Sequence, residues 1–170
     1  MPVPRRALLA ALVAASATTA LGGCGFALRQ PAALPFTRLA VSGFAPAAPM
    51  ADALRQALPR SVQWVDDPRQ AERVLVVLED RLTRTVAAST AGGQVREFRL
   101  RVTLRFRLDR PDGTPLLPET QLELTRDMSY SETAALAKQT EEAVLLRDMR
   151  LDMAHQLLEM LAASGRAPAA

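Results

Sequence analysis

The stretch Phe98-Arg99-Leu100-Arg101-Val102-Thr103-Leu104-Arg105-Phe106-Arg107-Leu108-Asp109 decides the fold of this chain. Apolar and polar residues alternate throughout it, which is the period of a β-strand with one buried and one exposed face. The exposed face is mostly arginine: it presents Arg99, Arg101, Arg105 and Arg107. The stretch therefore predicts a sheet with one apolar face, on which the helices of the chain must pack.

Two further strands flank this stretch. Residues 74–86 open with a β-branched apolar run, typical of a strand buried on both faces, and Ala91-Gly92-Gly93 forms a turn after them. On the other side, the turn Pro111-Asp112-Gly113 leads to a segment at 120–130 whose apolar residues share a face. The three strands are expected to form an antiparallel meander.

The remaining segments complete the predicted architecture. A short strand at 38–44 precedes an amphipathic helix at 50–58, and a helix capped by Ser131 or Ser129 runs to about Ala163. We therefore predict an α/β fold of the α+β type, in the order β-α-β-β-β-α. Its four-stranded, mostly antiparallel sheet has two helices packed on one face. Residues 62–65 could add a brief extended piece at the sheet edge, and the pattern leaves open whether it pairs.

The N-terminus carries an export signal. Arg5 and Arg6 precede an apolar run at 7–21 that is too short to span a bilayer, which needs about 20 residues. Leu21-Gly22-Gly23-Cys24 then resembles a bacterial lipobox, with cleavage after Gly23 and a diacylglycerol on the Cys24 sulfur. The alternatives are an uncleaved anchor or an ordinary signal peptide, which leaves an unpaired thiol in an oxidising compartment.

The lipobox divides the chain into four expected parts. They are a signal peptide at 1–23, a lipidated tether at 24–37, a single domain at 38–163 and a disordered tail at 164–170. Gly25 follows the cysteine, whereas Asp at this place marks lipoproteins kept at the inner membrane. The resemblance to lipoprotein sorting signals thus implies a lipid-anchored protein on the periplasmic side of the outer membrane.

Composition argues against several functions. The chain has 21 Lys and Arg, 18 Asp and Glu, and a net charge of +3, so loss of Arg5 and Arg6 with the signal leaves 3 − 2 = +1. Nearly balanced charge, few aromatic residues and an export signal argue against nucleic acid binding. His155 is the only histidine, so neither a His-based triad nor a multi-His metal site can be built. We predict a non-enzymatic protein without metal or cofactor.

Two features point instead to binding. The arginine row is unfavourable unless acidic groups lie opposite, and Glu79 and Glu123 on the flanking strands, or a partner, could supply them. A solvated face is the alternative interpretation. The second feature is Lys138, the only lysine, near the start of the long helix. It is either a ligand-binding cation or an ordinary surface residue.

The whole chain after the signal resembles the LptE family of lipopolysaccharide-assembly lipoproteins of Gram-negative bacteria. The resemblance rests on the order and spacing of several short motifs, each weak by itself. In chain order they are Cys24-Gly25-Phe26-x-Leu28-Arg29, Leu39-Ala40-Val41-Ser42-Gly43, Leu54-Arg55-Gln56-Ala57-Leu58, Gly93-Gln94, Arg126-Asp127-Met128-Ser129-Tyr130, Ala135-Leu136-Ala137-Lys138 and Met149-Arg150-x-Asp152-Met153-Ala154-x-Gln156-Leu157.

The resemblance implies a plug that sits one-to-one inside the β-barrel LptD, assists its assembly and helps deliver lipopolysaccharide to the outer leaflet. The arginine row would then face the polar lumen of the barrel. The resemblance also implies lipopolysaccharide binding, with Lys138 at a basic position of the family. Where the family can carry a second basic residue, this chain has Ala91-Gly92, so Arg96 or Arg84 would have to substitute. The alternative is a periplasmic adaptor lipoprotein of another outer-membrane transport or barrel-assembly complex.

Overall fold

Five strands form one mixed sheet in the computed structural model, which describes residues 33–165. In chain order the elements are β1 (Arg38–Ser42), α1 (Pro49–Ala57), β2 (Gln63–Val65), β3 (Arg73–Ser89), β4 (Val95–Asp109), β5 (Pro115–Ser129) and α2 (Ala135–Ser164). The 3-10 turns Pro68–Gln70 and Glu132–Ala134 precede β3 and α2. The signal peptide, Cys24, most of the tether and the end of the tail lie outside the described residues.

The α+β class and the two helices are confirmed, whereas the count of four strands is wrong. The sheet has the order β2-β1-β3-β4-β5. The segment left open at 62–65 is β2, which pairs parallel to β1 with Trp64 opposite Leu39. Because β1 also lies parallel to β3, only the neighbouring pairs β3–β4 and β4–β5 of the sheet are antiparallel. A strand of three residues is too short to show a periodic pattern in the sequence.

The alternation in β4 has the predicted result. Leu100, Leu104 and Phe106 are completely buried on the helix side of the sheet. The start of β3 is buried on both faces, as its β-branched run predicts: Leu75 lies in the main core, and Val74 lies in a second cluster on the opposite face. Burial of each large apolar side chain contributes roughly 1.5–3 kcal/mol, so this layer dominates the stability of the fold.

Both helices join the same core. Met50 and Leu54 of α1 are buried together with Met153 and Leu157 of α2. The two helices pack on each other, and α2 also contacts β4 and β5. Since α1 has only nine residues, the second half of β3 receives no helix of its own, and Leu82 remains partly exposed there. None of the helices within 33–165 is long and apolar enough to cross a membrane.

Candidate functional site

The polar side of β4 forms an ion-paired surface, which we call the arginine face. It consists of Arg99, Arg101, Arg105 and Arg107 with their acidic partners. The pairs are Arg99–Asp127 (2.7 Å), Arg101–Glu123 (3.2 Å), Arg105–Glu119 (3.1 Å), Arg105–Glu79 (3.6 Å) and Arg107–Asp109 (2.9 Å). The predicted placement of Glu79 and Glu123 opposite the arginines is therefore confirmed.

These pairs make the arginine face polar but close to neutral. Arg99 donates two hydrogen bonds of 2.7 Å to the two carboxylate oxygens of Asp127. The hydrogen bond with Arg99 lowers the pKa of Asp127, and the same bond raises the pKa of Arg99. Exposed ion pairs each contribute little to stability, so this arrangement mainly determines which surface the sheet offers to a neighbour.

Acidification is expected to weaken the arginine face at Asp127. Since the pKa of Asp127 is lowered on folding, the carboxylate contributes stability above its unfolded pKa of about 3.9. That contribution is lost as the pH falls through the lower folded value. The free energy of unfolding, measured from pH 5 to pH 2, should fall less steeply in Asp127→Asn than in the natural chain. The control is Asp148→Asn on an exposed part of α2, and equal slopes in the two variants would contradict the assignment.

The cations predicted to bind lipopolysaccharide lie near one end of the fold. We call this end the tip: β3 and β4 are joined there by the turn at 90–94, and β5 ends beside them. The guanidinium of Arg84 lies 3.7 Å from the centre of the Phe98 ring. Phe98 in turn meets the Tyr130 ring edge-on, with centroids 5.0 Å apart. Arg84 also forms an ion pair of 3.5 Å with Glu142 of α2.

Lys138 lies in the first turn of α2 and reaches the end of β5. Its Nζ donates to Ser129 Oγ at 2.9 Å and to Glu141 Oε2 at 2.7 Å, and its side chain is only 20% exposed. Lys138 is therefore not an ordinary mobile surface lysine. The predicted capping of α2 is wrong: Ser131 makes no capping hydrogen bond and precedes a 3-10 turn, while Ser129 accepts from Lys138.

Arg96 lies beside the end of β5. Its carbonyl oxygen accepts a hydrogen bond of 2.8 Å from the Tyr130 amide, which connects the two strands at the tip. Together with residues 131–133 it lines a shallow cleft of about 250 Å³. Within residues 33–165 the Arg96 side chain has neither an ion pair nor a hydrogen bond. It is thus the predicted cation that is readiest to accept an anionic ligand.

Several partners in this site were missed by sequence reasoning. The spacing of Lys138 and Glu141 at i and i+3 on one helix was a usable signal for their ion pair. No local sequence pattern predicts the contacts of Arg84 with Phe98 and Glu142, because these residues lie on three different elements. Ala91 and Gly92 occupy the exposed turn at the tip, so the turn itself brings no cation to the cluster.

Comparisons with known proteins agree with this architecture. The family model of LptE, described as lipopolysaccharide-assembly, matches residues 36–161. The LPS-assembly lipoprotein LptE of Pectobacterium atrosepticum is 31% identical over 154 residues, covering 88% of this chain and 83% of that protein.

Solved structures share the fold. The solution structure of uncharacterized lipoprotein B from Nitrosomonas europaea is 26% identical, with a TM-score of 0.70 over 84% of this chain and 94% of that one. Rare lipoprotein B from Shewanella oneidensis is 25% identical, with a TM-score of 0.64 over 76% of this chain and 96% of that one.

The fold and the matches define a class of protein, the non-enzymatic lipoproteins of lipopolysaccharide assembly. Residues 33–165 contain no group of His, Cys, Asp and Glu side chains arranged to hold a metal ion. Since the family model covers well over half of the chain, the chain belongs to the LptE family.

Proposed function

We propose that this chain is the plug of an LptD β-barrel, which it helps to assemble and through which it helps deliver lipopolysaccharide to the outer leaflet. The observation that carries the proposal is the arginine face. The lumen of a barrel is polar, so the surface that a plug presents to it should be polar as well. Charged groups that are already paired suit such a surface, because no unpaired charge is then enclosed. Four arginines whose charges are balanced by acids of the same sheet meet that requirement.

The proposed lipopolysaccharide site is the tip. The phosphates of lipid A are anions, for which arginine and lysine are the usual ligands in proteins. Arg96 offers an unpaired guanidinium among the described residues, and Lys138 and Arg84 lie near it, each with one acidic neighbour. Glu141 and Glu142 lower the net positive charge of the site. The expected affinity for lipopolysaccharide is therefore moderate, which allows the lipid to be released.

The proposed location follows from the N-terminus. A lipid on Cys24 would anchor the chain to the periplasmic side of the outer membrane. The 14 residues from Gly25 to Arg38 reach about 50 Å at most. The domain would therefore work close to the inner leaflet, where a barrel in the same membrane opens to the periplasm.

The plug proposal is tested by isolating the native complex from outer membranes through a tag at the C-terminus of the full chain. We expect one large barrel subunit to copurify in a one-to-one ratio. Crosslinking through carboxylates followed by mass spectrometry should join Glu119 and Glu123 of the arginine face to residues of the barrel interior. Copurification of several smaller subunits, without a large barrel, would instead support an adaptor of another transport or assembly complex.

The lipopolysaccharide site is tested with Arg96→Ala combined with Lys138→Ala. A hydrogen bond to a charged group contributes about 1.5–3 kcal/mol, so loss of both cations should raise the Kd for lipopolysaccharide at least about tenfold. The control is Arg110→Ala, which removes an exposed arginine at the opposite end of β4. Equal affinity of the double variant and the control, with unchanged thermal unfolding, would exclude the tip as the phosphate site.

A further inference from the structure

The second half of β3 carries apolar side chains that the described residues, 33–165, leave about half exposed. Leu82 is 42% exposed and Val86 is 54% exposed, although both lie in a regular strand of the main sheet. Arg84 lies between them on the same side of the strand. We call Leu82, Arg84 and Val86 the β3 strip.

The register of the sheet shows which side the β3 strip occupies. Leu82 lies opposite Val102, Arg84 opposite Leu100 and Val86 opposite Phe98. Since Val102 and Leu100 are buried in the main core, the strip is on the helix side of the sheet and continues the apolar layer outward. The short α1 does not extend over it, and α2 lies against β4 and β5. The layer is therefore left open along β3.

The open layer is next to cations. Successive residues on one side of a strand are about 7 Å apart, so Arg84 has an apolar neighbour at that distance in each direction along β3. A guanidinium has five N–H donors, and the pair with Glu142 at 3.5 Å leaves several of them for a ligand. Arg96 adds a second guanidinium toward the tip, whereas Asp80 ends the strip on the other side with a carboxylate.

The tip cleft alone is too small for a whole lipid. Its volume of about 250 Å³ is below the roughly 300–1,000 Å³ of sites that enclose drug-sized ligands. It can accept a phosphate group, but acyl chains attached to that phosphate need another surface. The β3 strip offers such a surface: it contains Arg84 and ends at Val86, opposite Phe98 and two residues along β4 from Arg96 of the cleft.

We propose that the β3 strip binds the acyl chains of an anionic lipid whose phosphate is held by Arg84 and Arg96. This inference rests on the lipopolysaccharide function proposed above and extends it from the headgroup to the lipid. The juxtaposition fits an amphiphile: guanidinium groups take the phosphate, and Leu82 and Val86 lose their contact with water when the chains cover them. Asp80 limits the strip on the side away from the tip, so the chains would cover Val86 and Leu82 and not the whole of β3.

The experiment compares two probes, intact lipopolysaccharide and the same lipopolysaccharide after chemical removal of its acyl chains. The protein is the expected mature chain, residues 24–170 with Cys24→Ser, so that neither the apolar signal nor a lipid of its own competes. We expect this protein to bind the intact probe at least about tenfold more tightly than the deacylated probe. Leu82→Ser combined with Val86→Ser should abolish that preference and leave affinity for the deacylated probe unchanged.

The matched control uses two exposed apolar side chains of α2. Leu136 and Val144 of α2 are 81% and 55% exposed, so Leu136→Ser combined with Val144→Ser removes a similar apolar area away from the strip. This control should keep the preference for the intact probe. Thermal unfolding of both double variants confirms that the sheet is intact, since these side chains contribute little to the buried core.

The outcomes separate the two proposals. If neither probe binds, the lipopolysaccharide function itself fails. If the deacylated probe binds as tightly as the intact one, or if the strip variant keeps the preference, the function stands and the acyl site is wrong. If the strip variant keeps the preference but no longer copurifies with the barrel, a polypeptide covers the strip, and the proposal is overturned in favour of a protein contact.

Discussion

Replacing Gly43 by alanine is expected to lower the free energy of unfolding by roughly 2–4 kcal/mol. Gly43 follows β1 with φ at +92°, a conformation that L side chains rarely adopt. A Cβ at this position would overlap the carbonyl oxygen of Val77 on the neighbouring strand. The added carbon must therefore push β1 away from β3, just where their parallel pairing ends at Ser42 and Val76. Chemical denaturation of the purified protein measures the effect.

A second glycine separates the two causes. Gly113 has a similar φ of +85°, but a Cβ there would have no other atom within 4 Å. Gly113→Ala should therefore cost only the backbone strain, about 1–2 kcal/mol. The excess loss in Gly43→Ala measures the close approach of the two strands. Equal losses in the two variants would show that the approach at Val77 imposes no constraint.

Cys24→Ser is expected to release most of the chain from outer membranes when the barrel partner is absent. Each buried CH₂ of a lipid chain contributes roughly 0.8 kcal/mol to membrane binding, so removing the sulfur proposed to carry the lipid should abolish the proposed anchor. The distribution is measured by density-gradient fractionation in cells depleted of LptD. The domain at 33–165 should keep its thermal unfolding, because its core is built from β1 to α2 and not from the lipid.

Gly25→Asp is the matched control for the anchor. It keeps the lipid on the cysteine, so the chain should stay membrane-bound and change only the membrane in which it accumulates. Without the barrel, retention of Cys24→Ser in the outer membrane at the level of the natural chain would show that the lipid is not the anchor. With the barrel present, partial retention of Cys24→Ser is expected, because the proposed contact between plug and barrel would hold the chain there.

Elements with a long periodic pattern were predicted correctly from the sequence. The alternation at 98–109 identified the apolar side of β4, whose Leu100, Leu104 and Phe106 are buried, although Thr103 and Asp109 on the polar side are buried too. The long helix predicted to end near Ala163 ends at Ser164. Period two and period 3.6 are local properties that each such segment carries in its own residues. The arginine row could also be predicted, with Glu79 and Glu123 as possible partners. Asp127, Glu119 and Asp109, which also pair with it, were not predicted.

Short elements and contacts between elements could not be predicted in the same way. The three residues of β2 carry too little pattern, and its pairing depends on how the chain returns after α1. The start of α2 was predicted too early, at a capping serine, whereas the helix begins at Ala135. Ser129 does not cap it but accepts a hydrogen bond from Lys138. Such choices depend on which groups the folded chain brings within 3 Å of each other.

The sequence by itself determined the two faces of the sheet, the anchor expected at Cys24 and the family, because these depend on residue types at fixed spacing. The sequence assigned no role to the side of β3 that carries Leu82, Arg84 and Val86. Only the tertiary structure decided what that side meets: Phe98 and Glu142 reach Arg84 from other elements, and no helix covers the strip. The physical reason is that a side chain's direction along a strand is local, whereas its burial depends on the length and path of segments distant in sequence.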